Sequence, residues 1–494
     1  SESESESKSK SEALSSSTNR KLTFPNLGPF SSPPIIVGAG PGGLFLALRL
    51  SEFGIPSIIF ERGDKADKRM IKIAKFWRYG DLDEETNVCY GEGGAGLFSD
   101  GKLITRIKSP LIQYVMDSLV KLGAPVEISY QTDPHLGSNK IRKIISQLSS
   151  LLIERGCQIH YNSRVDKLLI EENNLGVEKK VQGIELSDGR KFFSSSVILA
   201  TGHSPHEMYQ YLEEVGVSMK AKDFAIGVRI EHPRTYIDQL QFGDFSGDER
   251  LGTARYKLST HFPDCERGVY SFCMCPGGWV LSSGTKKNGL VVNGMSNYNR
   301  HSPWSNSALV VSVHNPQDTL FGEQNLVLSG MKFQEQIEKK AFDVSVENGG
   351  NGRSIPATTI KDFLNQSNKK GQLKSQKLQD TTYSSCPSGI VEANLHEILP
   401  EFVSKLLVKG LESFDEKLKG FKMEKALLLA PETRTSAPVT ILRNPETFES
   451  ISHKGLYPCG EGAGYAGGIT SAAVDGVKIA DQLILKEKNF LSMD

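Results

Sequence analysis

The chain has 494 residues with 58 Lys plus Arg against 58 Asp plus Glu, a net charge of zero, and a soft prior of ~150 residues per domain divides it into two or three domains. The balance leaves no basic excess for nucleic acid or an anionic membrane. Apolar runs such as Ala426-Leu427-Leu428-Leu429-Ala430 fall far short of the ~20 residues that span a bilayer, so a soluble protein without a membrane span is expected. Seven cysteines, an odd number with no secretory signal ahead of them, point to free thiols in a reducing compartment rather than a disulfide framework.

Residues 1–32, beginning Ser1-Glu2-Ser3-Glu4 and rich in Ser, Lys and Pro, are expected to form a disordered tail because they cannot bury enough apolar surface. The start at Ser1 without methionine reads as a processed or trimmed form, and loss of an organellar transit peptide is one explanation. Order is expected from Pro34. The strand Ile35-Ile36-Val37 leads into Gly38-x-Gly40-x-x-Gly43, and a helix follows in which Leu44, Ala47, Leu48 and Leu50 supply a buried face, the order that a dinucleotide-binding turn requires. Gly38 allows the tight turn, Gly40 lets the backbone approach a pyrophosphate, and Gly43 lets the helix pack closely on the strand. The pyrophosphate then sits at the helix N-terminus. A second strand, Ser57 to Glu61, places Glu61 where a carboxylate meets the adenosine ribose. This pattern leaves FAD and NAD both open.

Further along come a glycine-rich stretch, Tyr90 to Lys102, and an amphipathic helix carrying Ile141, Ile144, Ile145, Leu148, Leu151 and Leu152 that ends at Gly156. A meander is expected from strands at Gln158–Tyr161, Val165–Ile170 and Val181–Leu186, closing at Ala200-Thr201-Gly202. Residues 206–400 switch to short strands and Gly/Ser/Asn-rich loops with one helix near Phe333–Phe342, and form the expected home of substrate recognition. Asn365–Thr382 reads as a mobile loop. Residues 401–494 are a helical return, with Leu395–Leu418 helical, and end in a second glycine-rich segment beginning at Leu456. Cys273 and Cys275 are expected on one face of a strand, as packing or pocket lining. No metal site is expected, since no Cys/His cluster completes one.

The strings GAGPGGL (38–44), FERG (60–63), LATG (199–202) and YPCGEGAGYAGGITSAA (457–473), in this order, resemble the glutathione-reductase-type FAD superfamily. More narrowly, GEGGAGLFSDGKL, ATGHSPH, FAIGVRIEHP, YSFCMCPGG, VVNGMS and ETRTSAPV resemble the NAD(FAD)-utilising (FAD-dependent) dehydrogenases of bacteria and plastid-bearing eukaryotes. The resemblance implies an α/β fold: a Rossmann-like FAD-binding domain built from both ends of the chain (33–205 and 401–494) with an inserted α+β substrate domain (206–400). It implies non-covalent FAD, with Gly38, Gly40, Pro41, Gly42 and Gly43 at the pyrophosphate, Glu61 at the ribose and Arg62 beside the adenine. Val165 would meet the adenine edge, with Thr201 and Gly202 on the turn beside it. Gly460-Glu461 stands where the superfamily has Gly-Asp, and Gly467-Gly468-Ile469-Thr470 opens a helix whose amides face the flavin pyrimidine oxygen. The implied compartment is the plastid stroma or the cytoplasm.

No second G-x-G-x-x-G follows a predicted strand, so NAD(P)H, if used, binds transiently in the substrate cleft, or a protein partner supplies electrons. For the chemistry, Ser99, Asp100 and Lys102 offer proton-transfer groups, although Asp-Gly is also a common turn pair. Arg434 either pairs with a substrate oxyanion or forms an internal ion pair with Glu432 or another acid. His203, Arg229 and His232 are further candidates. The expected activity is an FAD-dependent oxidoreductase moving hydride to or from a small organic substrate. A flavin monooxygenase and a non-catalytic protein on the same fold are the alternatives.

Overall fold

The computed structural model describes residues 32–173, 178–319, 325–366 and 384–491. The expected tail, Ser32 apart, lies outside the described residues, as does most of the expected loop Asn365–Thr382. A five-stranded parallel sheet has the order Leu456–Pro458, Val197–Leu199, Ile35–Val37, Ile58–Phe60, Gln158–His160. Its first strand arrives from the far end of the chain, so this domain is built from both ends. The four strands from Leu456–Pro458 to Ile58–Phe60 are wholly buried, as parallel strands covered on both faces must be. Gln158–His160 was expected in the meander; it instead adds to the open edge of Ile58–Phe60. The meander is Val165–Glu172, Lys179–Leu186 and Lys191–Phe193.

Helix Pro41–Glu52 buries Phe45 and Leu46 in addition to the expected face, because helices Gly137–Glu154 and Ile469–Leu491 both pack on it. A helix enclosed on several sides is apolar nearly all round. The crossing with Ile469–Leu491 is tight: a Cβ on Gly476 would lie 2.1 Å from the Gly42 carbonyl oxygen.

The second sheet has seven strands in the order Ser259–Phe262, Arg267–Cys275, Trp304–Val313, Phe224–Pro233, Leu427–Glu432, Ile355–Thr359, Ile390–Glu392. Neighbours run antiparallel except the last pair. Alternate residues Phe224, Ile226, Val228 and Ile230 join one core with helices Ser329–Glu347 and Glu401–Lys417, leaving Arg229 on the opposite face. This moves both expected boundaries of the inserted domain. Helix His206–Glu214 packs Met208, Tyr209 and Leu212 into the core of the first domain, and residues 401–432 complete the second sheet, so the insertion runs from about 223 to about 432. It also holds more helices than the one expected, among them Arg234–Phe242 and Ile360–Gln366.

Gly43 admits no side chain, since a Cβ there would stand 2.1 Å from the Gly38 carbonyl oxygen and 3.0 Å from Ile36 Cγ2. Gly43→Ala is expected to cost about 1–3 kcal/mol through backbone displacement, read as a lowered urea midpoint at unchanged m-value.

His232 is fully buried in the second sheet, with Nε2 at 2.9 Å from the Phe421 carbonyl oxygen. Burial pushes its imidazole down to about 4, with the Phe421 carbonyl opposing. The unfolded side chain takes up its proton near pH ~6.5, before the folded one does. The stability that His232 contributes is therefore complete above that value and is lost as pH falls toward the folded value, by up to about 3 kcal/mol. Urea unfolding at about pH 7 and about pH 4.5 is expected to show a steeper loss in the parent than in His232→Gln.

Candidate functional site

A cavity of about 1640 Å³ lies between the carboxyl ends of the parallel strands and the second sheet. That is larger than the roughly 300–1,000 Å³ of an ordinary small-ligand pocket. Val37, Phe60, Ala200 and Cys459 mark where four parallel strands open into it, the place where open α/β sheets bind ligands.

The sequence-predicted cofactor residues converge here from three distant stretches of chain. Gly38, Gly40, Pro41, Gly42, Glu61, Arg62, Val165, Thr201, Gly202, Gly460, Glu461, Gly468 and Ile469 all line the cavity. Gly43 and Thr470 do not. Gly43 lies behind the turn, and the Thr470 hydroxyl donates to the Leu103 carbonyl at 2.7 Å, tying the C-terminal helix to the glycine-rich loop.

Two of the glycines bear directly on what fits. Gly40 has φ −81° and a Cβ there would meet nothing nearer than Gly94 Cα at 4.0 Å; Gly467 lies outside the left-handed region and a Cβ would meet nothing within 4 Å. Neither backbone conformation nor protein packing demands glycine at these positions. Both face the cavity, so their bare backbones suit close approach by a large ligand. Helices Pro41–Glu52 and Ile469–Leu491 begin beside them, and their N-termini favour phosphate and other negative charge. The residues present therefore fit a dinucleotide laid across both glycine segments.

Polar contacts hold this frame. Glu61 Oε2 accepts from the Ala39 amide at 2.9 Å, and Oε1 from the amides of Gly63 at 3.0 Å and Gly91 at 2.9 Å. Arg62 pairs with Glu85 and Glu207 and stacks 4.0 Å over the Tyr90 ring. At the other glycine segment Asp475 accepts from the Gly460 amide at 2.7 Å and pairs with Arg443 at 2.6 Å. Arg443 in turn stacks 3.7 Å over Tyr465. Arg443 and Asp475 escaped the sequence reading, since their 32-residue separation carries no motif.

Of the chemical candidates, Asp100, Lys102 and Arg434 all line the cavity. Asp100 is buried with both oxygens occupied: Arg300 donates at 2.6 and 3.2 Å, and the Ser296 hydroxyl donates to Oδ1. The Lys102 ammonium donates to the Met274 carbonyl and stands 3.8 Å from Asp100. Arg434 pairs with Glu338 at 2.7 and 2.9 Å and donates to Thr285, the internal-pair alternative with an acid other than Glu432. Burial opposes the Arg434 charge, but Glu338 more than restores it. Glu432 belongs to Arg229, at 2.7 and 2.8 Å in a wholly buried pair. Neither Arg229 nor His232 lines the cavity. His203 does, with its ring held by the Arg434 carbonyl and the Ser204 hydroxyl.

Cys273 and Cys275 both line the cavity, but a bulge in the ladder with φ +46° at Cys273 breaks their expected alternation. Burial pushes the Cys275 thiol up to about 12, so it stays protonated at neutral pH. No group of metal ligands occurs among the described residues.

Glu61→Gln turns an –NH₂ donor toward amides that now donate to a carboxylate. A stability loss of about 1–3 kcal/mol is expected, read by urea unfolding; a variant as stable as the parent overturns the bracing role of Glu61.

Residues 223–435 match a family described as "FAD-dependent protein, C-terminal domain-like", the same span that the second sheet delimits. An uncharacterised protein of Clostridium beijerinckii is 41% identical over 455 residues, covering 92% of this chain and 81% of its own. Among solved structures, the L-amino acid deaminase of Proteus myxofaciens in complex with anthranilate is similar at 11% identity and TM-score 0.35, over 95% of this chain and 94% of that one. The open conformation of a flavocytochrome c3 fumarate reductase is similar at 12% identity and TM-score 0.36, over 91% and 77%. With the Clostridium protein as a relative over 92% of this chain, the chain belongs to that protein's family, and its own residues 223–435 match the FAD-dependent C-terminal domain.

Proposed function

We propose that this protein is an FAD-dependent oxidoreductase that binds FAD non-covalently across both glycine segments and moves a hydride to or from a small organic substrate beneath the second sheet. The pair Gly40 and Gly467, bare for no reason internal to the protein, carries this reading. Bound FAD supplies two-electron hydride chemistry; the protein supplies orientation, charge and a proton. Gly38 to Gly42 and the helix they open would receive the pyrophosphate. Glu61 uses three of its roughly four acceptor sites on amides and keeps one on Oε2 for a ribose hydroxyl. Arg62 and Val165 would flank the adenine, with Thr201 and Gly202 beside them. No described residue hydrogen-bonds to the Glu461 carboxylate, leaving it to the ribityl hydroxyls.

Lys102 is the proton donor in this reading, since its ammonium reaches the cavity. Asp100 and Arg434 are positioning residues: Asp100 holds Lys102 and Arg300, and Arg434 holds the His203 ring through its carbonyl. All seven cysteines are unpaired, which suits a reducing compartment such as the cytoplasm or plastid stroma.

Purified protein is expected to be yellow, with a flavin band near ~450 nm, and to release FAD on denaturation. A colourless protein that takes up no added FAD overturns the proposal. Anaerobic mixing with NADH and NADPH then identifies the donor: bleaching means that a nicotinamide enters the cavity, and an unbleached band leaves the substrate or a protein partner as the electron source.

A further inference from the structure

The cavity end beneath the second sheet carries more positive charge than the protein neutralises. Lys102, Arg106, Arg255, Lys257 and Arg300 line it, against Asp100 and Asp133. Asp100 is shared, 2.6 Å from Arg300 and 3.8 Å from Lys102 at the same oxygen. Asp133 stands 3.5 Å from Arg255, both side chains partly exposed. Arg106 and Lys257 are exposed, and neither makes an ion pair or side-chain hydrogen bond with a described residue.

Of the other carboxylates lining the cavity, all but Glu461 are held by partners of their own, and Glu461 lies on the second glycine segment, away from the second sheet. Glu61 is taken by amides, Asp166 by Arg164, Glu207 by Arg62 and Glu432 by Arg229.

Arg255, Lys257 and Arg106 lie beside one strand of the second sheet. Leu258 and Ser271 exchange hydrogen bonds at 2.7 and 2.8 Å, which sets residues 255–258 against strand Arg267–Cys275. Arg106 lies within electrostatic reach of Tyr270 on the same strand. Burial, and next the Arg300 charge, push the Arg255 guanidinium below its ordinary value. Burial followed by the same Arg300 charge also lowers His135. Like charges crowded beside a cavity raise the free energy of the unliganded protein, and a bound anion relieves that repulsion. Between the cations the wall is apolar, with Ile104, Leu258, Val269 and Phe272.

Building on the oxidoreductase reading, we propose that this end of the cavity is a subsite for an organic anion: a carboxylate or phosphate ester held by Arg106, Arg255 and Lys257, with an apolar body against Leu258 and Phe272. Guanidinium groups take either anion bidentately.

The test uses the full-length protein, FAD-loaded and flavin-free, with benzoate, benzamide, phenyl phosphate and inorganic sulfate as probes. Benzoate or phenyl phosphate is expected to raise the thermal midpoint and, in the loaded protein, to perturb the flavin band. Benzamide, of the same shape without the charge, should require at least about tenfold higher concentration, a difference of about 1.4 kcal/mol. Tighter binding of phenyl phosphate than benzoate identifies a phosphate ester, and the reverse identifies a carboxylate. In Arg106→Gln/Lys257→Gln, whose replaced side chains are exposed and unpaired, the preference for the charged probe should fall about tenfold with FAD content unchanged. Equal binding of benzoate and benzamide, sulfate binding as well as the organic anions, an unchanged preference in the double variant, or no response to any probe overturns the proposal. Because midpoints are also read on flavin-free protein, failure to bind FAD and failure to bind anions are told apart.

Discussion

The Glu61 carboxylate, buried at the carboxyl end of strand Ile58–Phe60, accepts amide hydrogens from Ala39, Gly63 and Gly91. It joins the glycine turn, the end of the second strand and the glycine-rich loop at one point. Charge-assisted bonds of this kind are about twice as strong as neutral ones, and here they replace packing that glycines cannot provide. Arg69 completes the brace from below. Wholly buried, it donates to the carbonyls of Asn87, Val88, Gly91 and Glu92, while burial pushes its guanidinium down to about 10 with Glu61 opposing. It remains charged at neutral pH, so the loop wall of the cavity is built on a cation and a carboxylate rather than on apolar side chains.

With that corner held, the rest of the site follows from how the two ends of the chain meet. The Gly42–Gly476 crossing brings the first and last helices into backbone contact, so two helix N-termini open into one cavity. Arg443, Asp475 and the Gly460 amide then tie the second glycine segment to the last helix. The second sheet forms the opposite wall. Its interior charge, the Arg229–Glu432 pair with Asn306 and Asn293 beside it, is fully committed within the sheet. Removing one partner of such a pair commonly costs about 3–5 kcal/mol, which marks the pair as part of the frame. The uncommitted charge lies instead on the cavity side, where the cations outnumber the carboxylates.

The first strand, turn, helix and second strand were legible because strand period, helical period and turn glycines all agree within about thirty residues. The second glycine segment was legible through its likeness to a known superfamily, and the residues flanking both segments do line one cavity. The boundaries of the inserted domain were not. Strand Leu427–Glu432 sits beside Phe224–Pro233 across some two hundred residues, and an antiparallel partner that remote leaves no local periodicity to read. Gln158–His160 joins the parallel sheet rather than the meander because its partner Ile58–Phe60 is likewise remote in the chain, and its own sequence suits either edge.

The sequence by itself determined that a dinucleotide turn exists and where its glycines fall, because backbone conformation and close approach are local demands on residue type. It also supplied Asp100, Lys102 and Arg434 as candidates. Only the tertiary structure decided what those side chains are free to do. Asp100 is claimed by Arg300 and Ser296, Arg434 by Glu338, and Arg255 is left crowded beside Arg300. A charge acts through distance and burial, and neither quantity is written in the order of residues along the chain.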